Sequence, residues 1–145
     1  MEQKRIAESL VRKFKTRDPF CIAAELGIVV IRTPLQGIRG FCQRMKRRRV
    51  IYIDSSLSDR ESCFVCAHEI GHLLMHRGYN RIFMDTNTYF LVNRQEVEAS
   101  RFAVDLLFDD DDLRELLAHP IQVAADCMGI STELAAYRMR AIKTS

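Results

Sequence analysis

The 145-residue sequence lacks several features that mark whole classes of protein. No stretch approaches the roughly 18 consecutive apolar residues that a membrane-spanning helix needs, and the charged N-terminus lacks the apolar core of a secretory signal. The formal net charge is only +3, which by itself does not argue for nucleic acid as a partner. No internal repeat or low-complexity linker divides the chain. We therefore expect a cytoplasmic protein with one domain spanning residues 1–145.

The cysteine pattern argues against a disulfide framework. An odd number of cysteines cannot all pair, and reduced thiols are expected in the cytoplasm. Cys63 and Cys66 have the C-x-x-C spacing found in structural zinc sites and redox-active cysteine pairs. No second C-x-x-C or suitable histidine pair lies nearby to complete a zinc site. We interpret them as small apolar side chains that pack near Phe64 on a helix. The five cysteines are Cys21, Cys42, Cys63, Cys66 and Cys127.

The pattern of apolar residues predicts an α+β fold. Apolar residues at helical spacing predict a first helix over residues 2–15. Asp18-Pro19 is expected to begin a second helix, which Gly27 ends. Three runs rich in apolar and β-branched residues predict a small three-stranded antiparallel sheet, namely 28–31, 38–45 and 50–54. The four cations Lys46-Arg47-Arg48-Arg49 form the tip of the hairpin between the last two strands, and we interpret them as a solvated turn.

The densest group of candidate functional residues lies between Cys63 and His76. It contains His68-Glu69-x-x-His72, and a helix would place the two histidines on one face, one turn apart. Two imidazoles can then bind one metal ion, with Glu69 beside them as a general base. Nearly every other position is apolar, which predicts a buried helix. Histidine and glutamate are costly in such a place unless something pairs with them.

A catalytic zinc site usually has a third protein ligand and an open position. The candidates are Glu96 and Glu98. The sequence Asn93-Arg94-Gln95-Glu96 resembles a capping box, so it predicts a loop before Asn93 and a cap role for Glu96. Glu98 lies next to the apolar row of Ala99 and Ala103, and we predict it as the third ligand, with Glu96 as the alternative. In a purely structural role, Glu98 would form a salt bridge with Arg94 or Arg101.

The C-terminal part, from about 110 to 145, predicts a helical subdomain. An acidic run, Asp109 to Asp112, suits a helix N-terminus, and two helices follow around a turn at Gly129 with Ser131 as the second cap. This helix pair resembles a helix-turn-helix, so DNA binding is an alternative function. Few base-reading side chains begin the second helix, however, and the acidic run would repel phosphate. We favour a hairpin that packs on the catalytic part or holds substrate.

Taken together, these motifs resemble the ImmA/IrrE family of zinc-dependent metallopeptidases over roughly residues 18 to 140. The resemblance implies zinc held by His68, His72 and Glu98, with Glu69 as the catalytic acid/base. It also implies a protein substrate, a helix-turn-helix repressor, often in a prophage or other mobile element. The motifs that carry it are Asp18-Pro19-Phe20, Ala24-Glu25-Leu26-Gly27-Ile28, Gly40-Phe41, Ile51-Tyr52-Ile53, Ala67 to His76, and Glu98 to Leu107.

The sequence differs from the family pattern at two places. Leu107-Phe108-Asp109-Asp110 stands where the family commonly has Leu-Leu-Met-Pro, and Ser100 where asparagine is common. Gly71 is expected to allow close packing of another element beside the metal. An oxyanion-stabilising donor is also expected, with His76, Tyr79 and Tyr89 as candidates. The alternative to a peptidase is a DNA-binding or repressor-binding regulatory protein with a non-catalytic metal site.

Overall fold

The computed structural model describes residues 2–77 and 89–142, of which 89–92 are described in backbone only. Two helices open the chain, α1 (Glu2–Phe14) and α2 (Pro19–Glu25). The Asp18 carboxylate accepts the Phe20 N–H at 2.9 Å, so α2 begins where the Asp-Pro pair predicts. Gly27 follows α2 with φ +73°, a left-handed conformation that favours glycine.

The sheet has three strands, β1 (Ile28–Thr33), β2 (Gly40–Met45) and β3 (Arg48–Asp54), in the order β1-β3-β2. The predicted α+β class with a three-stranded sheet is confirmed. One feature differs, because β1 pairs with β3 in parallel and only β2 pairs with β3 antiparallel. The chain reverses after β1, and the β2–β3 hairpin then brings β3 back between the other two strands. The hairpin turn is only Lys46-Arg47, since β3 already starts at Arg48.

Helix α3 (Asp59–Met75) carries the two candidate histidines. Its predicted capping box is confirmed, because the Ser58 hydroxyl accepts the Glu61 N–H at 3.2 Å and the Glu61 carboxylate accepts the Ser58 N–H at 3.2 Å. From Val65 to Leu73 every residue of the helix is buried. The prediction of a helix enclosed by the core is therefore also confirmed.

Helix α4 (Tyr89–Leu107) begins earlier than the sequence pattern predicts. Asn93 lies inside this helix, so it is not an N-cap, and the predicted loop up to Asn93 is wrong for residues 89–93. The segment 93–96 has the sequence of a capping box, but its backbone lies within a helix that has begun four residues earlier. The remainder of that predicted loop, residues 79–88, lies outside the described residues.

Close contact between α3 and α4 depends on Gly71. A Cβ atom at this position would lie 2.9 Å from the Phe102 ring and 3.4 Å from the Ala99 Cα atom. Both of those residues are fully buried, so neither side chain can move into solvent. The expectation that Gly71 allows another element to pack tightly here is confirmed.

We expect the substitution Gly71→Ala to lower the free energy of unfolding by about 1 kcal/mol. Overpacking costs about 1–3 kcal/mol, and the better helix propensity of alanine offsets about 1 kcal/mol of it. Chemical denaturation measures the change. In the double variant with Phe102→Leu the cost should be smaller than the sum of the two single costs, because the ring is gone. A Gly71→Ala protein more stable than the original would contradict the packing argument.

The C-terminal part contains α5 (Asp110–Leu113), a 3₁₀ turn (Arg114–Ala118), α6 (Ile121–Met128) and α7 (Thr132–Arg140). Gly129, with φ +72°, ends α6, and the Ser131 hydroxyl caps α7 as predicted. These elements enclose a second apolar cluster, separate from the one around α3. Its buried members are Leu113, Ala124, Ala125, Met128, Ala135, Met139 and Ile142.

Buried polar contacts attach α7 to α4 and α5. Arg138 is fully buried, with Nη2 2.6 Å from the Asp110 carboxylate and Nε 3.8 Å from that of Asp105. The Tyr137 hydroxyl donates to Asp105 at 2.6 Å. A cation held in this way cannot contact a DNA phosphate, which argues against α7 as a recognition helix. Within the described ranges, no helix is long and apolar enough to cross a membrane.

Candidate metal centre

Three side chains from two helices meet at one point. His68 and His72 project from buried turns of α3, and Glu96 reaches them from α4. One Glu96 carboxylate oxygen lies 3.0 Å from His68 Nε2, and the other lies 3.1 Å from His72 Nε2. Glu69 is almost fully buried, and one ligand atom each from His68, Glu69 and His72 lie within 4.8 Å of one another. The motif residues predicted from the sequence are thus brought together.

Glu98, the carboxylate predicted as third ligand, lies elsewhere. One of its oxygens is 3.6 Å from His76 Nε2 and 3.8 Å from Arg94 Nε, so it meets the salt-bridge partner considered for it. Glu96, assigned to a cap, is the residue that the structure places against both imidazoles. This corrects the expected arrangement of α4.

The helix start explains the difference. Because α4 begins at Tyr89, Glu96 is an interior helical residue and has no capping role. Ala99 and Ala103, three and seven positions later, are fully buried, and Ala99 contacts α3 at Gly71. Glu96 therefore shares the face of α4 that packs on α3. The spacing of Glu96, Ala99 and Ala103 carried this signal in the sequence.

Both histidines are also contacted at their second ring nitrogen. His68 Nδ1 lies 3.1 Å from the Ser100 hydroxyl, and His72 Nδ1 lies 2.9 Å from His76 Nδ1. Contacts of this kind hold a metal-binding ring in place and direct Nε2 toward the ion. In the sequence, Ser100 is recognisable only as a departure from the family pattern, although it follows Glu96 by four positions and so shares its helix face.

The candidate oxyanion donors are placed only in part. His76 contacts the ring edge of His72 opposite Nε2, so the structure puts it behind the ligand and away from Glu96. Tyr79 lies outside the described residues, as does the side chain of Tyr89. The donor expected from the sequence therefore stays unassigned.

Burial also sets the protonation of the ligands. Loss of hydration lowers the pKa of His72 to about 4, against the opposing effect of its contact with Glu96. Burial likewise lowers the pKa of His76, with the charge of Glu98 acting in the opposite direction. Burial therefore favours the neutral form of His72, which is the form of imidazole that binds metal ions.

The donors fit a divalent metal ion. Two imidazole nitrogens and one carboxylate are the ligand types of many catalytic metal sites, which leave one position open. Two ligands at about 2.1 Å from one tetrahedral ion lie about 3.4 Å apart. The observed separations of 3.0 and 3.1 Å are close to that value, so small movements of the side chains would admit the ion.

An open cavity of about 360 Å³ leads to these residues. Its wall includes the start of β2, α3 and α4, through Gly40, Phe64, His68, Glu69, Glu96 and Ser100. A larger cavity of about 570 Å³ adjoins it and shares Arg39, Phe64 and Ser100. The start of α3 contributes Arg60, Glu61 and Cys63 to that wall. Its apolar part comes from the end of α4 and from the α6–α7 region, with Leu107, Phe108, Met128, Ile130 and Leu134.

Gly40 permits this wall to form. A Cβ atom there would lie 2.5 Å from Val65 Cγ1 and 2.8 Å from the Tyr52 carbonyl oxygen. Any larger residue would force β2 away from α3. The glycine that the family resemblance singled out thus brings the sheet close to the helix that carries the histidines.

A buried helix with this histidine–glutamate motif, a carboxylate from a second helix and an open cavity together define a metal-dependent hydrolase. Comparison with known proteins agrees with this class. Residues 23–140 match the peptidase family described as the IrrE N-terminal-like domain. The chain therefore belongs to the ImmA/IrrE family, and it is a metallopeptidase of that family.

Two relatives illustrate the membership. The chain is 42% identical over 108 residues, 74% of its length, to "Uncharacterized immunity region protein 2" of Bacillus phage phi105, of which the match covers 68%. It is 27% identical over 118 residues, 80% of its length, to "Metallopeptidase ImmA" of Bacillus subtilis (strain 168), of which the match covers 69%. Similarity to a phage protein agrees with the mobile-element setting that the resemblance implies.

Proposed function

We propose that the protein is a zinc-dependent endopeptidase that cuts a helix-turn-helix transcriptional repressor at a specific site. His68, His72 and Glu96 hold the zinc ion. The observation that supports this most strongly is the position of Glu96, whose two oxygens lie 3.0 and 3.1 Å from the Nε2 atoms of the two histidines. Two nitrogens and one carboxylate also match the donor preference of zinc better than that of magnesium or calcium.

Glu69 is the general base and acid of the reaction. When bound, zinc supplies a Lewis acid that polarises the scissile carbonyl and lowers the pKa of the attacking water. Glu69 follows the first histidine in sequence, lies beside both histidines and lines the cavity. It takes the proton of the attacking water and later gives it to the leaving amine.

The remaining residues of the site orient the ligand side chains and receive the substrate. The Ser100 hydroxyl holds the His68 ring from the side of α4. The smaller cavity receives the scissile segment of the substrate, and the adjoining apolar cavity between α4 and the α6–α7 turn receives a flanking side chain. The C-terminal hairpin thus takes part in substrate binding.

The choice of a repressor as substrate rests on the family resemblance and on a relative whose name refers to an immunity region. Such cleavage would take place in the cytoplasm. All five cysteines are free thiols in the structure, as a reducing compartment requires.

The proposal is tested with the purified protein and candidate helix-turn-helix repressors encoded near its gene. We expect bound zinc, and one specific cut in the repressor found by mass spectrometry of the products. Cleavage should stop after the metal is removed with a chelator and return when Zn²⁺ is added. A repressor that binds the zinc-loaded protein and stays intact would contradict the enzymatic proposal and indicate the regulatory role instead.

A further inference from the structure

Behind His72 lies a short chain of polar side chains that the proposed reaction does not use. His72 Nδ1 is 2.9 Å from His76 Nδ1, and His76 Nε2 is 3.6 Å from a Glu98 carboxylate oxygen. His72 is fully buried and His76 is 6% exposed. The chain runs from the half-buried Glu98 on α4, across the end of α3, to a residue that faces the candidate metal site.

We propose that His76 and Glu98 are positioning residues, which hold His72 in the tautomer and ring orientation that bind the metal. This inference rests on the proposed function, in which His72 Nε2 is a metal ligand. Neither residue touches substrate or metal in this role. Both act through the His72 ring.

The argument follows from where the protons can be. Two Nδ1 atoms 2.9 Å apart share one hydrogen, so one imidazole donates and the other accepts. If His72 donates, its Nε2 carries a lone pair and can bind a metal. If His76 donates instead, the neutral His72 has its hydrogen on Nε2, which blocks metal binding.

Two carboxylates act on these two arrangements. Without metal, the Glu96 oxygen 3.1 Å from His72 Nε2 favours the hydrogen on that atom, and once Glu96 binds the metal, Glu98 decides between the arrangements. When His76 accepts at Nδ1, its own hydrogen is on Nε2, the atom that faces the Glu98 carboxylate. A negative charge at that position favours the N–H over the lone pair. Glu98 therefore selects the tautomer of His76 that accepts, and this in turn selects the metal-binding tautomer of His72.

Within the described part of the chain, His68, the other proposed histidine ligand, has no comparable carboxylate-backed partner. His68 Nδ1 contacts the Ser100 hydroxyl, which can donate or accept equally well. A hydroxyl orients the ring without choosing its tautomer. We therefore expect changes at His76 to affect the metal site in a way that a general loss of packing does not.

The experiment compares His76→Ala with His76→Asn. Zinc affinity is measured by competition with a chromophoric chelator, and the coordination sphere is followed by the visible spectrum of the Co²⁺-loaded protein. The alanine variant should bind Zn²⁺ about 10–100-fold more weakly and show an altered Co²⁺ spectrum. Asparagine should restore most of both, because its side-chain oxygen can accept the His72 N–H.

Control variants separate this role from general effects. His119→Ala removes an exposed histidine of the C-terminal part and should change neither measurement. Glu98→Gln should weaken zinc binding, whereas Arg94→Ala, which removes the exposed contact of Glu98, should not. Thermal unfolding of the metal-free variants shows whether each is folded. If His76→Ala does not fold, the asparagine and Glu98 variants decide.

Two results would overturn the inference. One is zinc binding by His76→Ala as tight as in the original protein. The other is equal loss in His76→Ala and His76→Asn, which would indicate a role in packing alone. Failure of the proposed function is distinguishable, because in that case His72→Ala would itself leave zinc binding unchanged.

Discussion

Replacing Glu69 with glutamine should nearly abolish peptide hydrolysis and leave the bound metal in place. The amide has almost the shape of the carboxylate, so the buried position stays filled and the two histidines keep their places. It cannot take a proton from water, and loss of a general base typically lowers kcat by about 10²–10⁴-fold. Repressor cleavage over time, with metal content measured on the same samples, gives both quantities.

The matched control is Glu115→Gln in the 3₁₀ turn of the C-terminal part. Glu115 is exposed and lines neither of the two cavities, so this change should leave kcat unaltered. If Glu69→Gln cleaved the repressor at the original rate, Glu69 would not be the base.

Loss of metal should follow Glu96→Ala far more than Glu98→Ala. The two residues are two positions apart on α4, and their side chains are 30% and 29% exposed, so they form a matched pair. Glu96→Ala removes one of the three proposed ligands, and we expect zinc affinity to fall by more than about 100-fold, beyond the range typical of supporting residues. Glu98→Ala should stay within about 10–100-fold.

Chelator competition and metal analysis after dialysis measure this difference. At a zinc concentration that saturates the original protein, Glu98→Ala should remain largely loaded and Glu96→Ala should be largely empty. The opposite result would make Glu98 the third ligand, as the apolar stripe of α4 predicted. Equal and small losses in both variants would mean that neither carboxylate binds the metal.

The helix starts and the shared face of His68 and His72 can be predicted from the sequence, because interactions between residues a few positions apart determine them. A serine followed three positions later by a glutamate starts α3, and helical periodicity places His68 and His72 on one face. The same holds for α2, which begins at Asp18-Pro19, and for the helix pair joined at Gly129. Each of these depends on contacts within a few residues.

The pairing of the strands in the sheet could not be predicted from local sequence patterns. Each strand was recognisable from its own residues, but the parallel pairing of β1 with β3 depends on where the chain passes after β1. Alternation of apolar residues shows that a strand has a buried face, and it does not show which neighbour lies beside it. The strand order β1-β3-β2 is therefore a property of the folded chain.

The position of Glu96 against the two histidines depends on tertiary structure for two reasons. Residues 89–92 extend α4, so Glu96 lies inside a helix and not at its cap. The rotation of α4 about its axis is then set by the contact of Gly71 with Ala99 and Phe102, which brings the Glu96 face toward α3. Two positions lie about 200° apart around a helix, so Glu96 and Glu98 point to different sides of α4, and the contact with α3 decides which of them meets His68 and His72.

The sequence by itself determined the class of the protein, because two histidines and a glutamate on a buried helix have few other uses and the pattern lies within a single element. Only the tertiary structure decided that Glu96 faces the two imidazoles, and that Ser100 and His76 support them. The contacts of Glu96 and Ser100 join α4 to α3, and the contact of His76 lies at the C-terminal end of α3. The contacts between the helices depend on how closely α3 and α4 approach each other. That distance is set by a glycine and a phenylalanine 31 positions apart in the chain.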